Sequence, residues 1–306
     1  MFTLSKKRKL FFPGQTGDTI EHHKHTEGKA LNNHNTDAFV KYLRNEEKSD
    51  ATVEKYTRDV ACFLQSIGER EPDRESVLDY KKHLIDSGYA VRSINSMLAS
   101  LNCWFAFLGR PELKVKSLKV QQQIFCPEEK ELTRAEYERL CAAAERSGNK
   151  RISLILQTIC ATGIRVSELK YITVEAVRCG AATVSCKAKT RTVFIVRSLQ
   201  KKLLRYISEQ GIRSGSVFVT RNGNPINRTS IWSEMKKLCS SAGVDQRKVY
   251  PHNLRHLFAR VFYSLEKDIA KLADILGHSS INTTRIYIMS TGSEHRRRME
   301  RMRLTL

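Results

Sequence analysis

Five side chains between Tyr250 and Ile288 have types that suit chemistry at a phosphate group: His252, Arg255, His256, His278 and Tyr287. The planar guanidinium of an arginine matches the geometry of phosphate oxygens, and an imidazole exchanges protons near neutral pH. A phenol can donate a hydrogen bond or, once deprotonated, act as a nucleophile. These residue types share one obvious target, a phosphate.

The first helix of this stretch is predicted to begin at Pro251, because proline suits the first turn, where its missing N–H has no partner. His252 and Arg255 are three positions apart, so they share a face near the start of that helix. Apolar residues recur at helical spacing and predict a buried stripe formed by Leu254, Phe258, Val261, Phe262 and Leu265.

Two shorter helices are predicted to follow the first one. Asp268 is a suitable N-cap for the second helix, and Gly277 supplies the left-handed residue that ends it. His278 is therefore expected at a fixed corner. Ser280 can cap a third helix, which places Tyr287 about two turns along it.

The order of these residues resembles the C-terminal signature of the tyrosine recombinases, the phage-integrase family. H-x-x-R-H begins at His252, L-G-H-S-S-I-N-T-T contains His278, and Tyr287 lies nine positions after that histidine. The family also has an arginine inside a T-G-x-R-x-S-E-L segment, and Arg165 occupies that position here. Two separate motifs in the right order carry the resemblance.

The resemblance implies a catalytic set of six residues: Arg165, Lys187, His252, Arg255, His278 and Tyr287. The tyrosine would attack the scissile phosphate and leave a covalent 3′-phosphotyrosyl intermediate, which can be resealed without ATP. The two arginines would neutralise the non-bridging oxygens, as metal ions do elsewhere, while the histidines assist. We therefore expect a reaction that needs no metal and no cofactor.

The general acid of the reaction is expected on a β-hairpin. Residues 182 to 197 alternate in polarity and predict that hairpin, with a basic tip. The family pattern there is G-K-G-x-K-x-R, whereas this chain reads C-K-A-K-T-R from Cys186 to Arg191, with both glycines replaced and one position missing. Lys187 matches the catalytic lysine when the alignment is anchored on the left, and Lys189 competes when it is anchored on the right.

Arg165 has a favourable local position for an anion. The apolar run from Ile152 to Ile159 predicts a core helix that Gly163 stops, so Arg165 lies at the N-terminus of the next helix. Free N–H groups and the helix dipole attract negative charge there. The alternative is that Arg165 pairs with Glu168.

The composition independently predicts a polyanionic partner. The 306-residue chain is 41% hydrophobic and 28% charged, as expected of a globular protein, and its formal net charge is +21. Nucleic acid is favoured over a membrane because no apolar stretch approaches the roughly 18 residues of a spanning helix. The eight cysteines contain no C-x-x-C pair and predict reduced thiols in a cytoplasmic protein, without a zinc site or disulfides.

Composition shifts predict four regions: a basic flexible tail at 1–34, a helical bundle at 35–113, a linker at 114–131 and a catalytic domain at 132–306. The fold class is mainly α with a small antiparallel β-hairpin. The position of the bundle resembles the core-binding DNA-binding domain of the family. The short tail leaves little room for a further arm-binding domain, which favours the simple two-domain type.

The leading hypothesis is a site-specific DNA recombinase. Its partners would be double-stranded DNA with specific recombination sites and further copies of the chain, in a homo-tetramer built as a pair of dimers. One alternative is a nicking and closing enzyme of the type IB topoisomerase kind. The other is a non-catalytic DNA-binding regulator, against which the six filled catalytic positions argue.

Overall fold

The computed structural model of the chain describes residues 26–120, 127–186, 189–289 and 292–304, with the backbone alone at 26–35, 128, 186 and 189. The described residues form thirteen α-helices and one two-stranded sheet, which confirms the predicted mainly α fold. The chain separates into two compact units, Met1–Gln122 and Gln123–Leu306. Among the described helices none is long and apolar enough to cross a membrane.

The first unit contains four helices, where the sequence predicts a helical bundle. They are α1 (Thr26–Asn45), α2 (Asp50–Ile67), α3 (Arg74–Asp86) and α4 (Val91–Phe107). Their buried faces share one core, with Phe39, Phe63, Leu98 and Phe105 at its centre. Helix α1 begins at Thr26, upstream of the predicted start near residue 35, and residues 1–25 lie outside the described part of the chain.

The chain that follows α4 remains attached to it. The side-chain amide of Asn102 donates to the Val115 carbonyl and accepts from the Val115 N–H, at 2.9 and 3.0 Å. Asn95 makes the same pair of bonds with Leu118, at 2.9 and 2.7 Å. The first residues of the predicted linker therefore pack on the bundle, and the linker's boundaries stay a prediction.

The second unit holds the remaining elements. Its helices are α5 (Arg134–Arg146), α6 (Lys150–Thr162), α7 (Val174–Cys179), α8 (Arg197–Gln210), α9 (Arg228–Ala242), α10 (Pro251–Glu266), α11 (Ile269–Leu276), α12 (Ile281–Tyr287) and α13 (Gly292–Met302). Helix α5 begins at a capping box, in which Thr133 and Glu136 satisfy each other's backbone N–H. The core helix α6 is buried over most of its length, with Ile152, Ile155 and Ile159 fully buried.

The hairpin is present as predicted. Strands β1 (Ala181–Cys186) and β2 (Lys189–Phe194) pair antiparallel, with Cys186 opposite Lys189. Val184 and Val193 are buried in the core of the unit. Lys187 lies outside the described residues, and of Lys189 only the backbone is described.

Helices α10, α11 and α12 form the stretch that contains His252, Arg255, His278 and Tyr287. The predicted caps are confirmed, because the side chains of Asp268 and Ser280 accept from backbone N–H groups and Gly277 is left-handed. The predicted buried stripe on α10 is wrong toward the C-terminal end of the helix, where Val261 is 40% and Leu265 79% exposed. The covered face is instead the one through which Phe258 and Phe262 pack against α11 and α12.

Candidate active site

The start of α10 is held in place by the residue between the two predicted site residues. The side chain of Asn253 is buried and donates to the carbonyls of Lys130 and Lys248, at 2.8 and 2.7 Å. Pro251 occupies the first turn, as predicted. Both features fix the direction in which His252 and Arg255 leave the helix.

Arg255 is almost fully buried, with 1% of its surface exposed. Its guanidinium donates to the Gly163 carbonyl and to the Leu276 carbonyl, the latter at 2.6 Å. Burial, followed by the charge of Arg165, lowers the pKa of Arg255 to about 10, so it remains a cation at neutral pH. Its Nε is buried and has no hydrogen-bond partner among the described residues.

Arg165 lies at the N-cap of a 3-10 helix, Val166–Tyr171, and its side chain is 34% exposed. Its Nη1 donates to Glu168 Oε1 at 2.8 Å, and its Nη2 donates to the Gly277 carbonyl at 3.2 Å. The pairing with Glu168 that the sequence left open is therefore present. The exposed remainder of the guanidinium is free to face a further anion.

Glu168 is 2% exposed, which makes it the most deeply buried carboxylate beside the site. Burial raises its pKa, but hydrogen bonds from Arg165 and the charges of Arg191 and Arg165 outweigh this, so the pKa is lower than usual. Glu168 is therefore ionised at neutral pH. Its negative charge offsets part of the positive charge of the nearby arginines.

Tyr287, the last residue of α12, is 6% exposed and is surrounded by imidazole rings. Its hydroxyl lies 3.1 Å from His252 Nε2. Its ring stacks on His256, with centroids 4.1 Å apart, and approaches the ring of His278 at 4.9 Å. The Arg255 guanidinium lies 5.9 Å from the ring centre, within the range of a cation–π contact.

The hydrogen bonds of His278 determine its tautomer. Its Nε2 lies 3.1 Å from Arg255 Nη2, and its Nδ1 lies 2.9 Å from the hydroxyl oxygen of buried Thr284. Since a guanidinium only donates, Nε2 accepts and the protonated Nδ1 donates to Thr284. Burial, followed by the charge of Arg255, lowers the pKa of His278 to about 4, so the neutral ring dominates at neutral pH.

His252 is also kept neutral near pH 7. Burial, followed by the charges of Arg255 and Arg165, lowers its pKa below the usual value. Its Nε2 is therefore available to accept the proton of the Tyr287 hydroxyl. The pair has the geometry of a base and a nucleophile.

The structure brings together Arg165, His252, Arg255, His278 and Tyr287 in one cluster. The catalytic set predicted from the sequence did not include Arg191, His256 and Thr284, although their signals were present. Arg191 ends the K-x-R of the hairpin pattern, His256 ends H-x-x-R-H, and Thr284 belongs to I-N-T-T.

A metal site is not apparent in the parts of the chain that the structure describes. No group of three or more His, Cys, Asp or Glu side chains in those parts has an arrangement suited to a metal ion. Arg255 is a cation that lies over the Tyr287 ring. Independence from metal stays a prediction.

Two family models match the chain. The model of the phage integrase family matches residues 130–294, and that of the phage integrase N-terminal SAM-like domain matches residues 36–112. The chain belongs to the phage integrase family. These matches account for both the catalytic signature and the helical bundle of this family member.

Curated relatives extend over nearly the whole of this integrase-family chain. Tyrosine recombinase XerA of Pyrococcus horikoshii is 29% identical over 275 residues, which cover 87% of this chain and 92% of the relative. Tyrosine recombinase XerD of Pseudomonas putida is 31% identical over 258 residues, covering 78% and 86%.

Solved structures of the family share the fold. A lambda integrase dimer bound to a COC' core site superposes with a TM-score of 0.69, at 16% identity over 85% of this chain and 96% of the other. The crystal structure of XerA recombinase gives a TM-score of 0.50, at 25% identity over 90% of this chain and 100% of the other.

Proposed function

We propose that this chain is a site-specific DNA recombinase that cuts and rejoins strands through Tyr287. The observation that carries the proposal is the 3.1 Å contact between the Tyr287 hydroxyl and His252 Nε2, inside a cluster that also holds two arginines. The tyrosine recombinases that align over most of their own length support the same activity.

The two arginines bind the phosphate and stabilise the charge that develops during attack. Arg165 presents the exposed part of its guanidinium, and Arg255 contributes a buried cation beside Tyr287. Arg255 Nε is a buried donor whose missing partner a phosphate oxygen would supply. Both guanidiniums are held by backbone carbonyls, so they need little reorganisation when substrate binds.

The cleavage step exchanges one phosphoester for another. The Tyr287 oxygen forms a bond to phosphorus as the bond between phosphorus and the 5′ oxygen breaks. The phenol proton passes to His252 Nε2, and the 5′ oxygen takes a proton from Lys187, which the resemblance assigns as the acid. Attack of a 5′ hydroxyl on the phosphotyrosine reverses these transfers and reseals a strand, so the bond energy is conserved.

The partner is double-stranded DNA that carries specific recombination sites, and the working assembly is a homo-tetramer formed by a pair of dimers. The net charge of +21 supports a polyanionic ligand, since released counterions favour binding. We assign the helical unit Met1–Gln122 to the grip on DNA and the unit Gln123–Leu306 to catalysis. A cytoplasmic location is part of the proposal, and the six cysteines described with side chains are free.

A nicked suicide substrate tests the proposal. DNA from the genomic neighbourhood of the gene supplies candidate sites. A nick beside the cleavage point lets the short fragment that carries the new 5′ hydroxyl diffuse away. Because that hydroxyl can no longer reseal the strand, the covalent adduct is trapped. We expect a covalent protein–DNA band on a denaturing gel and a phosphotyrosine at Tyr287 by peptide mass spectrometry.

The matched variants are Tyr287→Phe and Tyr263→Phe, which each remove one hydroxyl. Tyr263 lies in the same apolar cluster but outside the cluster of imidazoles and arginines around Tyr287. The first variant should bind DNA and form no adduct, while the second should form it. An adduct that persists in Tyr287→Phe contradicts the assignment of the nucleophile.

A further inference from the structure

Three arginines meet at the C-terminal end of α11. Arg191 Nη1 donates to the Ile275 carbonyl at 3.0 Å, Arg255 Nη2 to the Leu276 carbonyl at 2.6 Å and Arg165 Nη2 to the Gly277 carbonyl at 3.2 Å. The last carbonyls of a helix have no partner within it, and the dipole makes that end negative. Three successive carbonyls thus hold three guanidiniums side by side. Arg165 and Arg255 are assigned to the phosphate site, whereas Arg191 is not.

Arg191, on β2, is joined to the site by a second contact. Its Nη2 lies 2.6 Å from Glu168 Oε2, while the other carboxylate oxygen accepts from Arg165 Nη1 at 2.8 Å. The Arg191 side chain is 13% exposed and Glu168 3%, so water screens this bridge little. One buried carboxylate therefore couples the hairpin to the exposed arginine of the site.

A third contact involves Gly277, the residue before His278. Gly277 has a φ of +65°, and a Cβ added there would lie 2.6 Å from Arg191 Cδ and 2.8 Å from its Nε. The stem of Arg191 thus lies directly against the bare backbone of Gly277. The same backbone presents its carbonyl to Arg165.

We propose that Arg191 is a positioning residue for the phosphate site. It holds Glu168 Oε2 and the end of α11, and through them it determines where Arg165 and the Gly277–His278 corner lie. Without it, Glu168 Oε2 would keep only its bond from the Arg165 backbone N–H, at 2.9 Å, and the carboxylate would be free to turn and draw the Arg165 guanidinium away from phosphate. This role rests on the proposed function, and Arg191 itself does not touch the phosphate.

The first test compares Arg191→Ala with the wild type on the nicked suicide substrate. Displacing a clamp by about 1 Å costs up to about 100-fold in rate, so we expect cleavage at saturating DNA to slow by about 10- to 100-fold. The Kd for DNA, measured by fluorescence anisotropy, should change by less than about 3-fold because a single phosphate contact is weakened among many. A normal cleavage rate with normal folding overturns the proposal.

The matched control is Arg151→Ala. Arg151 also pairs with one carboxylate, Glu234, at 2.8 Å and donates to one carbonyl, that of Val219, at 2.9 Å. The two variants each remove one ion pair from the same unit, with the Arg151 pair the more exposed at 28% and 19%, and only the Arg191 pair adjoins the site. Arg151→Ala should lower the melting temperature and leave the cleavage rate unchanged.

A double-mutant cycle separates positioning from a general loss of structure. If Arg191 acts through Arg165, then Arg191→Ala should slow an Arg165→Ala protein by less than about 3-fold, well below its effect on the wild type. A methylphosphonate at the scissile position, which lacks one charged oxygen, should likewise reduce the effect of Arg191→Ala. Equal losses in both backgrounds and on both substrates contradict the proposal.

Arg191→Lys serves as the test variant if Arg191→Ala does not fold. It keeps the charge and the stem, but an ammonium lacks the planar fork that reaches Glu168 and the Ile275 carbonyl together. We expect an intermediate cleavage rate that shows the same dependence on Arg165. A folded Arg191→Lys that cleaves as fast as the wild type overturns the proposal. Because total absence of adduct from the wild type would instead refute the recombinase function, the two failures are distinguishable.

Discussion

The rings of Tyr287 and His256 stack with their centroids 4.1 Å apart and their planes inclined by 22°. Burial, followed by the charge of His252, lowers the pKa of His256 to about 4, so the stacked imidazole is neutral at neutral pH. Aromatic pairs of this kind contribute about 0.5–1.5 kcal/mol beyond their buried area. His256 therefore orients the phenol that we assign as nucleophile.

Replacing His256 tests this orientation. His256→Phe retains a flat ring and should keep the single-turnover cleavage rate within about 3-fold, whereas His256→Ala leaves a gap beside Tyr287 and should slow cleavage about 10-fold. Both rates are measured on the suicide substrate at saturating DNA. Equal rates for the two variants would show that the stack has no role in cleavage.

Stability should fall with acid because the site histidines are held neutral. The pKa values of His256 and His278 are lowered to about 4 from the usual value near 6.5. Between these values the unfolded chain binds more protons than the folded one, so stability is full above about pH 6.5 and is lost as pH falls toward 4. The melting temperature should drop between pH 7 and 5, and less steeply in His256→Phe. If the melting temperature falls equally steeply with pH in both proteins, the lowered pKa of His256 is contradicted.

Two glycines that end helices allow a matched test of packing at the site. Gly163 and Gly211 both have a φ of +64°, but a Cβ would lie 2.5 Å from Phe258 Cδ1 at Gly163 and meet nothing within 4 Å at Gly211. Gly211→Ala should lose about 1–2 kcal/mol in urea unfolding, the cost of a left-handed alanine. Gly163→Ala should lose more, and it should slow cleavage because its carbonyl holds Arg255. Equal losses of stability would mean that the Phe258 side chain moves aside without an energetic cost.

Cleavage should survive removal of metal ions. In the proposed mechanism the charge of the phosphate is met by Arg165 and Arg255, which chelators do not affect. Adduct yield in excess EDTA should equal the untreated yield. Loss of the adduct that added Mg²⁺ restores would overturn the arginine mechanism.

Sulfur substitution identifies the general acid on the hairpin. A substrate whose bridging 5′ oxygen is sulfur has a leaving group that needs no proton, so it should restore cleavage to a variant that lacks only the acid. We expect rescue of Lys187→Ala and little change in Lys189→Ala, each serving as the control for the other. The reverse result moves the acid to Lys189, and no rescue in either variant removes it from the hairpin tip.

The amino-acid sequence alone determined the family, the recombinase activity and the helices around the site. The expected site-specific DNA recombinase is confirmed, and neither the topoisomerase-like nor the regulatory alternative is favoured. Caps at Asp268, Gly277 and Ser280 were predictable because capping depends on residues a few positions apart. The boundary of the buried face on α10 was not predictable, since it depends on which elements cover that helix.

Only the tertiary structure decided how the site is supported. Glu168 is shared by Arg165 and Arg191, and Tyr287 packs on His256, because separate elements of the second unit meet at the end of α11. Such contacts join residues far apart in the chain and depend on the packing of whole helices, which no local pattern encodes. The sequence therefore predicted which groups react, and packing determined the charge states, tautomers and partners of those side chains.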